Sequence, residues 1–302
     1  MVRSDVDLET LNAQVEAAIA RGSPDGLRII GYGEVTLVIA WPRENPRYAI
    51  KRLALFSSQK RFDDYAALVT IYCQKLEARG VGVVDTQVQG IAGADGQVRG
   101  YLVQPFIAKE QLLTHIMRHC TEPRGRELLD ELARLICTGI NDEVGMDAAI
   151  PNWALVDGRF ETFDISTPWL RDGKGRDLID LDHLLQVYPW IVRGLLKRFV
   201  FNEILDGVHS PRLIILDTAV QMLRWGNENW LDLLLEVANP RLDEPVTRKQ
   251  VEDRFAFDLR IYPLMDRLRK LDRWWQKNVR RRPYGTLLPN SYDKLRREGE
   301  QT

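Results

Sequence analysis

Cysteine and histidine are scarce in this 302-residue chain, with three of the first and four of the second. Cys73, Cys120 and Cys137 are odd in number and widely spaced, which argues against a disulfide framework and for a reducing compartment. "HIMRHC" puts His115 and His119 four residues apart with Cys120 adjacent, but no third ligand at a zinc spacing follows, so a zinc site is not expected. An excess of charge is also missing. The 42 basic and 43 acidic residues leave a formal net charge of −1, which excludes strong whole-molecule attraction to nucleic acid or membrane. Long apolar runs are absent: no segment has the length of a bilayer span. The N-terminal "MVRSDVDLETLNAQVEAAIARG" reads as a short amphipathic helix rather than a signal peptide. A cytoplasmic protein without a transmembrane segment is expected.

Charge balance fails in one place. "RLRKLDRWWQKNVRRRP" carries eight basic residues with Trp274 and Trp275 among them. The reading is a solvated helix face with the two tryptophans packed inward. Nucleic acid or an acidic surface is not expected to dock on residues 267–282.

Repeats and low-complexity linkers are absent too, so the organisation rests on periodicity. "LRIIGYGEVTLVIAW" and "PRYAIKRLALF" are β-branched and aromatic runs broken by turn residues, as for antiparallel strands. Phe62, Tyr65, Val69, Tyr72 and Leu76 recur at helical spacing before Gly80. Strand pattern returns with a hairpin signal at Asp95-Gly96. After Pro105 the chain turns helical, interrupted by a small hairpin at Asp157-Gly158, and nearly everything from Asp177 to Lys277 reads as helix. The expected class is α+β. Its expected units are a helical extension at 1–24, a sheet-rich unit at 25–105 and a helical unit at 106–302.

Three short stretches carry chemistry. In "GYGEVTLV", Gly31 and Gly33 let backbone N–H groups approach a phosphate, although such a pair also serves plain strand turns. In "YAIKRL", Ala49 and Lys51 share a face, and a lysine on the inner face needs an anion. The plainer reading is an outward lysine. In "VGMDAAIPNWALVDGRFETFDIS", Asp147, Asn152 and Asp164 lie close together around a hairpin. Their oxygens are hard donors suited to Mg²⁺, and a carboxylate can accept a hydroxyl proton. Turn and cap roles would explain the same residues singly.

In this order the stretches resemble the protein-kinase-like superfamily, especially its small-molecule branch of aminoglycoside phosphotransferase and choline kinase-like enzymes. "GYGEVTLV" resembles the glycine-rich loop, "AIK" the lysine strand, "MDAAIPN" the catalytic loop and "FDIS" the metal-binding segment. The resemblance implies a bilobal fold, with a small antiparallel-sheet lobe holding one main helix and a larger helical lobe. It implies ATP and Mg²⁺ as cofactors and a small-molecule hydroxyl acceptor. Gly31 and Gly33 would shape the loop over the nucleotide, and Lys51 would contact the α- and β-phosphates. Asp147 would orient or deprotonate the acceptor, and Asn152 and Asp164 would hold the metal. The backbone around Gln104 and Phe106 would meet the adenine.

Three positions depart from the family pattern. Thr36 replaces the third glycine, and Gly145 stands where a histidine usually precedes the catalytic aspartate by two. The lysine usually pairs with a glutamate on the following helix, which here offers Asp63 and Asp64 early and Glu77 too far along, so Asp64 is the expected partner. Gly145 motivates a rival, a nucleotide-binding pseudokinase. Transfer of AMP onto a protein is a third reading of the same residues. The acceptor is not legible.

Overall fold

The computed structural model describes residues 5–32, 37–185, 193–194 and 201–281. The protein is α+β, with a small antiparallel sheet and many helices. Strands β1 (Ile29–Tyr32), β2 (Leu37–Trp41), β3 (Tyr48–Arg52), β5 (Gln87–Ala92) and β6 (Val98–Pro105) form a sheet in the order β1-β2-β3-β6-β5. The β5–β6 turn is the expected one at Asp95-Gly96, with Gly96 at φ +76°.

Alternation along the strands sends successive side chains to opposite faces. Ile39, Ile50, Tyr101 and Val103 meet Leu11, Val15 and Ala18 of helix α1 (Leu8–Arg21). The N-terminal helix is therefore packed on the sheet rather than extended from it. Leu53, Phe56, Val98 and Leu102 instead join the main core, together with Phe62, Val69, Tyr72 and Leu76 of helix α2 (Gln59–Ala78). Ser58 caps α2 by accepting from the Arg61 N–H, and Gly80 follows its end at φ +82°.

The short strand β4 (Gly82–Val83) pairs in parallel with β8 (Arg159–Thr162), which forms a hairpin with β7 (Trp153–Val156). The remaining helices named below are α3 (Leu113–His119), α4 (Glu122–Gly139), α5 (Leu181–Leu184), α6 (Phe201–Gly207), α7 (Pro211–Arg224), α8 (Leu231–Ala238) and α9 (Arg248–Asn278). Leu128, Leu129, Leu132 and Ile136 of α4 pack with Leu231, Leu234 and Leu235 of α8, and with Ile215 and Ala219 of α7. This bed of apolar side chains supports the loop from Val144 to Asn152. Among the described residues, no helix is long and apolar enough to cross a membrane. The three cysteines are free.

The basic stretch departs from expectation. Trp274 and Trp275, read as packed inward, are exposed on α9.

Candidate active site

The β7–β8 hairpin brings the expected metal residues together. Trp153 is paired with Thr162, and the Phe163 N–H donates to the Asn152 carbonyl at 3.1 Å. Asn152 immediately precedes the first strand and Asp164 follows the second by two residues, so both emerge at the same end. The Asp157-Gly158 turn closes the other end, with Asp157 at φ 49° and Gly158 at φ 79°. Both residues there need left-handed backbone, which the Asp-Gly pair tolerates best.

Lys51 reaches this place from β3, 113 positions earlier in the chain. Its ammonium donates to Asp164 Oδ1 at 2.7 Å, with the lysine side chain 9% exposed and the aspartate side chain 33%. Ser166 Oγ also donates to Asp164 Oδ1, at 2.8 Å. Burial pushes the Asp164 carboxyl up, but the Lys51 charge and hydrogen bond, followed by Ser166, outweigh it, and the net shift is downward. Asp164 is therefore a carboxylate at neutral pH.

Asp147 has the opposite balance. Burial raises its pKa first, the charges of Asp164 and Asp217 raise it further, and the group is pushed up to about 7. Hydrogen bonds from the Ala149 N–H and the Asn152 side chain oppose this only in part. Two neighbouring carboxyls thus hold different charge states near neutrality.

The loop bearing Asp147 is fixed along its length. The Gly145 N–H donates to the Trp169 carbonyl at 2.8 Å and the Met146 N–H to the Val208 carbonyl at 3.0 Å. Tyr72 of α2 donates its hydroxyl to the Gly145 carbonyl at 2.9 Å. Trp153 Nε1 donates to the Ala148 carbonyl at 3.2 Å, and Thr218 Oγ1 of α7 lies 3.2 Å from the same carbonyl while its shorter contact, 2.8 Å, is with the Ile214 carbonyl of its own helix. Gly145 itself has no room for a side chain. A Cβ there would lie 2.8 Å from the Val208 carbonyl oxygen and 3.1 Å from Cε1 of the buried His209. The missing histidine therefore does not leave a loose loop, because packing and other donors occupy its place.

Other sequence-predicted residues fall less simply. Gly31 lies in β1 opposite Val38, whereas Gly33 and Thr36 lie outside the described residues. Gln104 is buried, and its Nε2 donates to Thr86 Oγ1 and to the Phe163 carbonyl, both at 2.9 Å. Its side chain thereby ties β6 to the segment leading into Asp164. In the backbone around Gln104 and Phe106, expected near an adenine edge, the Phe106 N–H donates to the Arg47 carbonyl at 2.9 Å. The expected pairing of Asp64 with Lys51 is not formed. Asp64 faces solvent and pairs with Lys60 one turn earlier at 2.7 Å. Its neighbour Tyr65 is the residue that faces inward, about 100° around the helix.

Tyr65 and Tyr72 were legible only as core residues of a helical stripe. Tyr65 donates its hydroxyl to the Ser166 carbonyl at 2.8 Å, so α2 grips the Asp147 loop with one phenol and the Asp164 segment with the other. Burial, followed by the nearby carboxylates, raises both phenol pKa values, so both hydroxyls remain donors. A buried tyrosine needs a partner for its hydroxyl, and that need was the available signal. Asp217 had no motif around it. Burial raises its pKa as well, and its charge bears on Asp147.

The donor set suits a hard cation carried by a ligand better than a cation held by protein alone. Among the described residues, no group of three histidine, cysteine or carboxylate side chains is placed to hold a metal. Mg²⁺ is ordinarily bound through one or two carboxylates and substrate phosphates, with water completing the shell. Asn152 and Asp164 offer that, and an added positive charge would relieve the repulsion that raises Asp147.

Residues 10–273 match the family described as "Family of unknown function (DUF6206)". The chain belongs to that family. No curated protein matches this DUF6206 chain. Among solved structures, "WaaP in complex with acyl carrier protein" aligns with 74% of this chain and 97% of that chain, at 16% identity and a TM-score of 0.33. So distant a likeness carries no weight for the function of the DUF6206 chain.

Proposed function

We propose that the protein is an ATP- and Mg²⁺-dependent phosphotransferase with a bilobal kinase-like fold, acting on a hydroxyl of a small molecule. The nucleotide lies between the unit at 25–105 and the helical unit at 106–302. The observation that carries this reading is the contact of Lys51 with Asp164, with Asn152 and Asp147 alongside. A buried lysine beside an oxygen-donor pair is what a polyphosphate requires.

In this mechanism Lys51 leaves Asp164 for the α- and β-phosphates. Asn152 and Asp164 would hold Mg²⁺, which would supply charge neutralisation at the transferring phosphoryl group. Asp147 accepts the proton of the acceptor hydroxyl, and a pKa of about 7 matches that task at neutral pH. Tyr65 and Tyr72 hold the two loops at a fixed separation. Positioning of this kind supplies much of the rate in phosphoryl transfer. The braced loop around Gly145 favours catalysis over the pseudokinase reading, whose motive was a gap at that position. AMP transfer onto a protein uses the same residues and is separated by the mass that ATP adds to the product.

With ATP, Mg²⁺ and a panel of hydroxyl-bearing metabolites, the chain is expected to consume ATP. Asp147→Ala and Asp164→Ala should each lower the rate by about 100-fold or more. Equal rates in all three proteins would remove this site from the reaction.

A further inference from the structure

The last helix carries an outward face that the proposed chemistry does not use. Leu271, Trp274, Trp275 and Val279 are 59%, 55%, 38% and 48% exposed. Their spacing of three, one and four places them on one side of α9 and its C-terminal cap. Arg267, Lys270, Arg280 and Arg281 are exposed around them. Asp272 is the one acidic residue within 267–282, and it is buried. Among the described residues of 267–282 the exposed charges beside the stripe are therefore all positive, on a chain whose formal net charge is −1.

We propose that this face docks the protein on an anionic lipid surface. Indoles partition to the headgroup level of a bilayer, where the ring is sheltered and its N–H stays hydrated. Leu271 and Val279 then reach the acyl boundary, and the flanking arginines meet lipid phosphates and carboxylates. A nucleic acid would use the cations and the indoles but leave the two aliphatic side chains in water. A protein partner of the usual kind would require a broader apolar patch than four side chains. Trp153 and Trp230 are buried in the core, so outward placement is not a general habit of tryptophan in this chain.

The test uses the full chain with vesicles of phosphatidylcholine alone and with about 30 mol% phosphatidylserine, enough to set a surface potential. Binding is read by co-sedimentation and by a blue shift of tryptophan emission. The chain should bind the anionic vesicles at least about 10-fold more tightly than the neutral ones, and lose most of that binding in about 0.5 M salt. Trp274→Ser/Trp275→Ser and Arg280→Glu/Arg281→Glu should each weaken it by about 10-fold with unchanged thermal midpoints, since all four side chains are exposed. The proposal is overturned if the wild type binds neither vesicle or binds both equally, or if both variants bind like the wild type. Stronger binding to a single-stranded RNA than to the anionic vesicles would also overturn it, as would a dimer that the tryptophan variant dissolves.

Discussion

Asp164→Ala is expected to destabilise the protein by about 3–5 kcal/mol, as removing one partner of a buried ion pair does. The reason is the position of Lys51, whose side chain is 9% exposed and whose ammonium has its carboxylate partner 2.7 Å away. Lys51→Met should cost less, about 1–2 kcal/mol, because the Asp164 side chain is 33% exposed and regains water while keeping Ser166. The double variant should recover part of the loss, giving a coupling of the order of 1–3 kcal/mol in a denaturant-based cycle. The Asp164 pKa is lowered in the folded state, so its contribution is complete above the ordinary carboxylate range. It is lost as pH falls through the folded value, and the gap between wild type and Asp164→Ala should narrow below about pH 4. Equal costs for the two single variants would mean that the lysine is not the more confined partner.

Asp147→Asn should act in the opposite direction on stability while removing activity. The Asp147 pKa rises from 3.8 to about 7 on folding. Between those values the folded chain holds more protons than the unfolded one, so stability falls as pH rises through that window. Asparagine removes the charge and can keep the bond from the Ala149 N–H. The variant should therefore be more stable than the wild type by about 1–3 kcal/mol at pH 8 and equal to it near pH 4. ATP consumption should be lost at both. Chemical denaturation at the two pH values decides this. A variant less stable than the wild type at pH 8 would make Asp147 a structural turn residue, not a proton acceptor held under strain.

The elements were legible wherever a local rule had one solution. Alternation in "YAIKRL" put Ala49 and Lys51 on one face without saying which face is inner, and the Asp-Gly pairs at 95–96 and 157–158 mark real turns. The second of these turns is why Asn152 and Asp164 leave the hairpin at the same end. Periodicity was less informative about what a stripe faces. On α2 it identified Tyr65 and Tyr72 but not their hydroxyl bonds, and a preference for an acid next to lysine pointed to Asp64, one position off the inward stripe. On α9 Trp274 and Trp275 were expected to pack inward, yet spacing alone does not say whether a stripe faces core or solvent, and both are exposed. Asp217 and Thr218 approach the Asp147 loop only through tertiary packing of α7, and no local pattern marks them. The bond between the Phe106 N–H and Arg47 depends likewise on how far the β3–β6 ladder runs.

The central claim is that Lys51, Asn152 and Asp164 form a site for a magnesium-bound nucleotide, and thermal unfolding with ATP tests it most directly. A ligand at 100 times its Kd adds about 2.7 kcal/mol to the folded state, an upward shift of a few degrees for a chain of this size. The midpoint should rise with ATP and Mg²⁺ together, rise much less with either alone, and stay unmoved in Lys51→Met. No shift in the wild type, or the same shift in the presence and absence of Mg²⁺, or an equal shift in Lys51→Met, would contradict the site.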